Sequence, residues 1–134
     1  MAGVEGKLEI RSSEDVVRVR QAVRALALKC GLSLVDQTKI VTAASELARN
    51  TLDYGGGGTI TLESVMNGTR AGVRLTFEDQ GPGIPDINLA LKDGWTTGSG
   101  LGLGLSGAKR LSNEFDLQSR PGEGTRVTVT RWKV

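Results

Sequence analysis

The chain has no histidine and a single cysteine. Without histidine there is no histidine nucleophile, no Ser-His-Asp triad and no imidazole-ligated metal. One thiol likewise excludes thiolate zinc sites. Cys30 cannot close an internal disulfide, and its place on an apolar helix face reads as a buried thiol of a reducing compartment. Also missing is any apolar run near the roughly 20 residues of a membrane-spanning helix, and no signal peptide is visible. Net charge is slight: 17 Lys and Arg against 15 Asp and Glu leave +2, spread along the chain. That balance excludes a polybasic membrane anchor and a nucleic-acid groove. With 134 residues, 38% apolar and 24% charged, and with neither repeats nor a linker, the expectation is one cytoplasmic α/β domain over 1–134.

What is abundant is glycine. Its 19 residues are twice the share expected from an average usage of roughly 7%. They are clustered, four at 55–58 and six between Gly94 and Gly107. Clustered glycine points to loops that wrap something.

The periodicities frame these loops. Leu8 and Ile10 alternate with charged neighbours in a first strand near 6–11. Ser12 or Ser13 caps a helix whose apolar stripe is Val16, Val19, Val23, Leu26 and Cys30. Ser33, with Asp36 three residues on, caps a second helix that runs to about Tyr54. Its apolar face holds Ile40, Ala44, Leu47 and Thr51. Glu46, Asn50, Ala43, Thr42 and Asp53 fall opposite, with Ala43 small enough to let a ligand sit close. Strands at 59–66 and 73–77 form a hairpin through Asn67-Gly68. A short helix is expected over 86–91, a lid-like stretch from Gly94 to Gly107, a helix over 103–115, and two closing strands at 115–119 and 125–132.

The organising stretch is residues 77–85. Val73, Leu75 and Phe77 alternate with polar residues, and the strand ends at Asp79 before Gly81 and Gly83. An acid there is costly to half-bury unless it finds a donor. Asp79 therefore reads as an acceptor at the floor of a pocket, able to take an exocyclic amine, with the Gly81–Gly83 turn as one wall.

The second glycine cluster is not a Walker A loop, because Ala108 follows Gly107 where lysine is required. Gly102, Gly104 and Gly107 match the dinucleotide fingerprint, but no strand precedes them and too little chain follows. Free backbone N–H groups at a helix start, aided by the helix dipole, fit better. The candidate phosphate-binding positions are Thr97, Gly98, Ser99, Gly100, Leu101, Gly102, Leu103 and Gly104. Glu46 and Asn50, at i and i+4, project from one helix face. An amide oxygen can ligate Mg²⁺, and a carboxylate one turn away can take a proton from an attacking hydroxyl. Phosphoryl transfer needs these parts.

Glu46-x-x-x-Asn50, Asp79-x-Gly81-x-Gly83 and the 98–107 run resemble, in order, the three boxes of the GHKL (Bergerat-fold) ATPases and kinases. Residues 45–50, 78–86, 93–97 and 109–111 resemble the RsbT-type serine/threonine kinases of bacterial stress signalling. The resemblance implies a two-layer sandwich, a mixed β-sheet packed by about three helices, holding ATP under a mobile lid. It implies that Asp79 contacts the adenine amine, Asn50 binds Mg²⁺, Glu46 is the base and Thr125 is a late hydroxyl near the adenine. It further implies phosphorylation of STAS-domain proteins of a stressosome-type scaffold and, on release, activation of a PP2C-type phosphatase. An anti-sigma factor kinase and a nucleotide-gated binding switch with little turnover remain open beside this reading.

Overall fold

The computed structural model describes residues 3–84 and 101–133, with the backbone alone at 101–104. The elements run β1 (Gly3–Ile10), α1 (Ser13–Lys29), α2 (Leu34–Asp53), β2 (Gly58–Asn67), β3 (Arg70–Asp79), α3 (Leu101–Arg110), β4 (Glu114–Ser119) and β5 (Thr125–Trp132). The strands lie in the order β1-β2-β3-β5-β4. Where a mixed sheet was expected, every pair is antiparallel. The reason is topological: β5 turns back from β4 and inserts beside β3, so β3 and β4, which share a direction, never touch.

Alternation along each strand builds the inner face. One row across all five strands is Leu8, Ile60, Phe77, Val127 and Leu117; Leu62, Leu75, Val129 and Phe115 form the next. Burying such a face is the main stabilising term, roughly 25 cal/mol per Å² of apolar surface. The helices cover it, with Val19, Val23, Ile40, Ala44, Leu47, Leu105 and Ala108 in the same core. On the outer face Thr61, Thr76 and Thr128 share a row, the pattern of a sheet with one polar side.

Ser33 caps α2 as expected, its side chain accepting from the Asp36 N–H. At the start of α1 the Asp15 carboxylate accepts from the main-chain N–H groups of Arg11 and Ser12. Three expectations need correction. Ala43 is fully buried; α2 packs against α1, α3 and the sheet, so Ala43 itself belongs to the core and offers no ligand surface. Cys30 is the C-cap of α1, where the helix leaves the core, and it is only half-buried. Helix α3 begins at Leu101 and ends at Arg110, so part of the expected lid is helical. Its three glycines disfavour helix, but Leu105 and Ala108 are buried and anchor it. The helix expected over 86–91 lies outside the described residues.

At the far end of the core Arg131 reaches across from β5. Its guanidinium donates two hydrogen bonds to Asp36 Oδ1, at 2.8 and 3.1 Å, and a third to the Leu111 carbonyl at 3.1 Å. The Asp36 and Arg131 side chains are 7% and 12% exposed. The Arg131 hydrogen bonds hold the Asp36 carboxyl below its usual range, with Ser33 adding to the effect. A depressed folded pKa gives stability that is present above the unfolded value, about 3.9, and lost as pH falls through the folded one. Asp36→Asn should cost about 3 kcal/mol at neutral pH by stranding Arg131. Urea unfolding at a series of pH values should show that gap constant in the neutral range and shrinking as wild-type Asp36 protonates.

Candidate functional site

Asp79 is the last residue of β3, two positions beyond Phe77 and on the same inner face. Its neighbours across the sheet are Gly58 on β2 and Thr125 on β5. Its carboxylate accepts the Gly81 N–H at 2.9 Å and the main-chain N–H of Thr125. Burial pushes this carboxyl above its ordinary value, and the two N–H donors pull against that. A half-buried acid that keeps spare acceptor capacity is suited to binding a donor.

Glycine makes the approach possible. A Cβ on Gly55 would sit 2.4 Å from the Asp79 carboxyl carbon, and one on Gly124 would sit 2.1 Å from the Asp79 carbonyl oxygen. A Cβ on Gly81 would sit 2.7 Å from Gly55 Cα. The turn after Asp79 is tied on several sides. Tyr54 Oη donates to the Gly83 carbonyl at 3.2 Å, the Gly122 N–H to the Pro82 carbonyl at 2.7 Å, and the Ile84 N–H to Ser119 Oγ at 2.7 Å.

The sequence-derived candidates separate into those the structure assembles and those it does not. Asn50, Asp79 and Thr125 line one cavity with Leu47, Thr51, Tyr54, Phe77, Ile84, Leu105 and Val127. At about 20 Å³ it holds an exocyclic amine or one water, not a whole base. Glu46 is exposed on α2, one turn before Asn50 and outside this cavity. Gly81 and Gly83 shape the turn and line no part of the cavity. The Thr125 hydroxyl lies 3.0 Å from Ser119 Oγ, while its N–H serves Asp79. Leu101, Gly102, Leu103 and Gly104 form the first turn of α3, whose N–H groups have no partner within the helix. Thr97, Gly98, Ser99 and Gly100 lie outside the described residues.

These residues fit a nucleotide on one further observation, and the Asn50 amide oxygen is a ligand type that Mg²⁺ takes. Asn50 Nδ2 is buried and has no hydrogen-bond partner among the described residues. Such a group is costly unless a ligand completes it.

Residues 35–134 match the family described as the histidine kinase-, DNA gyrase B- and HSP90-like ATPases. The chain belongs to this family. Within the family it is 46% identical to the serine/threonine-protein kinase RsbT of Bacillus subtilis (strain 168), over 93% of this chain and 94% of that protein. It is 27% identical to an anti-sigma F factor of Thermoanaerobacter sp., over 92% and 89% of the two chains. In fold it is similar to the RsbU and RsbW domains of a Mycobacterium tuberculosis protein, with a TM-score of 0.62 and 23% identity. That match covers 94% of this chain and 32% of the other. The catalytic domain of the histidine kinase ThkA gives a TM-score of 0.55 at 20% identity, covering 96% of each. The chain is therefore an RsbT-type GHKL protein, a serine/threonine-protein kinase of a partner-switching kind.

Sequence reasoning missed Gly55, Gly124, Tyr54 and Ser119 as parts of this GHKL site. The glycine run at 55–58 was the available signal for the first; nothing local marked the serine. Gly55→Ala should weaken ATP binding by roughly 10- to 100-fold, the cost of forcing a methyl group into a packed contact. Calorimetric titration checks this, with the far-ultraviolet spectrum expected to stay that of the wild type.

Proposed function

We propose that this chain transfers the γ-phosphoryl group of Mg-ATP to a serine or threonine of a STAS-domain protein in a cytoplasmic, stressosome-like partner-switching pathway. In this reading the kinase, once released from that scaffold, activates a PP2C-type phosphatase. The observation that carries the nucleotide part is Asn50 and Asp79 on one cavity, with the buried Asn50 Nδ2 unpartnered among the described residues. The 46% identity to RsbT supports the pathway.

Each residue then has a task. Asp79 accepts from the adenine amine, and its N–H donors hold the carboxylate in place. Gly81 and Gly83 let the turn after Asp79 pack tightly against the Gly55 and Arg120 backbones. Asn50 would hold Mg²⁺, which when bound neutralises phosphate charge. Main-chain N–H groups in the stretch from Thr97, Gly98, Ser99 and Gly100 into Leu101, Gly102, Leu103 and Gly104 would take phosphate oxygens at the start of α3. Glu46, exposed and so open to a partner's hydroxyl, takes the proton as the oxygen–phosphorus bond forms and ADP leaves.

The anti-sigma F factors among the relatives favour a second reading, an anti-sigma factor kinase that captures a sigma factor directly. A nucleotide-gated binding switch would need no turnover at all.

The test is phosphate transfer from γ-labelled ATP to a purified STAS-domain partner, with and without Mg²⁺. Glu46→Gln should lower transfer by at least about 100-fold, the range of a lost general base, and leave ATP affinity unchanged. Asn50→Ala should remove the Mg²⁺-dependent part of ATP binding. Transfer that survives Glu46→Gln contradicts the assigned base. Partner exchange that needs ATP and survives it favours the switch.

A further inference from the structure

The hydrogen bonds around Ser119 decide which way the Thr125 hydroxyl points its proton. Ser119 Oγ accepts the Ile84 N–H at 2.7 Å and donates to the Gly124 carbonyl at 3.0 Å. A serine hydroxyl has one proton and two lone pairs. That proton is committed to Gly124, because a carbonyl can only accept. The remaining 3.0 Å contact, between Ser119 Oγ and Thr125 Oγ1, then forms only if Thr125 donates. Ser119 is thus saturated, and the one proton of Thr125 is spent.

Thr125 and Asp79 line the same cavity. With its proton turned to Ser119, Thr125 offers the cavity lone pairs alone. Asp79 does the same, since its contacts to Gly81 and Thr125 are all accepted bonds. A purine with an exocyclic amine meets two acceptors with a donor. A purine with an exocyclic oxygen there sets a third acceptor against them, and its nearest proton sits on the adjacent ring nitrogen rather than at the position that Asp79 and Thr125 face.

We propose that Ser119 is a specificity-determining residue: by fixing Thr125 as an acceptor, it makes the site select adenine nucleotides over guanine nucleotides. Ser119 does not line this cavity and acts through Thr125, so it is a positioning residue. The inference rests on the nucleotide reading above, and its readout is a ratio that a structural role would leave alone.

The experiment is calorimetric titration of the full chain with Mg-ATP and with Mg-GTP. Wild type should prefer ATP. Ser119→Ala frees the Thr125 proton to turn toward the cavity, so the ATP-to-GTP preference should fall roughly tenfold, the worth of one redirected hydrogen bond. Ser119→Thr keeps the hydroxyl and should keep the preference. Thr125→Val removes the disputed acceptor without touching Ser119, and it should also narrow the preference, so the test survives if Ser119→Ala fails to fold. Equal weakening of both nucleotides in Ser119→Ala, or an unchanged ratio in Thr125→Val, overturns the proposal. A wild type that binds neither nucleotide overturns the nucleotide reading itself, and this proposal with it.

Discussion

The site depends on holding one carboxylate half out of water at the end of the sheet's inner face. Desolvation alone would drive Asp79 toward its neutral form. Two main-chain N–H groups oppose it, one from the turn that follows and one from the neighbouring strand. Charge-assisted bonds of this kind are the strong ones. They also dictate the surroundings. Thr125 can donate only because β5 lies directly beside β3, and the backbones at Gly55 and Gly124 can come this close only without side chains. The antiparallel order of the sheet, the end of α2 and the β4–β5 turn are therefore parts of one arrangement around Asp79.

A second anchor lies at the other end of the same two elements. Arg131, near the end of β5, grips Asp36 in the first turn of α2, while Thr125 and Asn50 face one cavity near their opposite ends. The central helix is thus tied to the inserted strand at both ends. This arrangement sets where Asn50 and Glu46 stand relative to the nucleotide site. It also agrees with Ala43, expected to let a ligand sit close, lying in the core.

The local half of this structure was readable from the residues. Alternation marked β2, β3, β4 and β5, and the Ser33 cap and glycine run bounded α2 to within a residue. Asp79 stood out because an acid ended an apolar alternation. Long-range features had no such signal. The insertion of β5 between β3 and β4 is a pairing choice that no short window encodes, and the mixed sheet was only what the family resemblance implied. Asp36 looked like a cap residue because its partner lies 95 positions away. Glycine counts announced a wrapped ligand, but what a Cβ at Gly55 or Gly124 would strike depends on the folded neighbours. Ser119 is an ordinary polar residue at a strand end, and only its three partners distinguish it.

The central claim is that Asp79 reads the base. A crystal structure with Mg²⁺ and a non-hydrolysable ATP analogue tests it most directly. The expected result has the adenine amine about 3 Å from the Asp79 carboxylate, with the Gly81 and Thr125 N–H bonds intact. Adenine seated elsewhere, or an Asp79 carboxylate still without a ligand donor in the complex, would contradict the account.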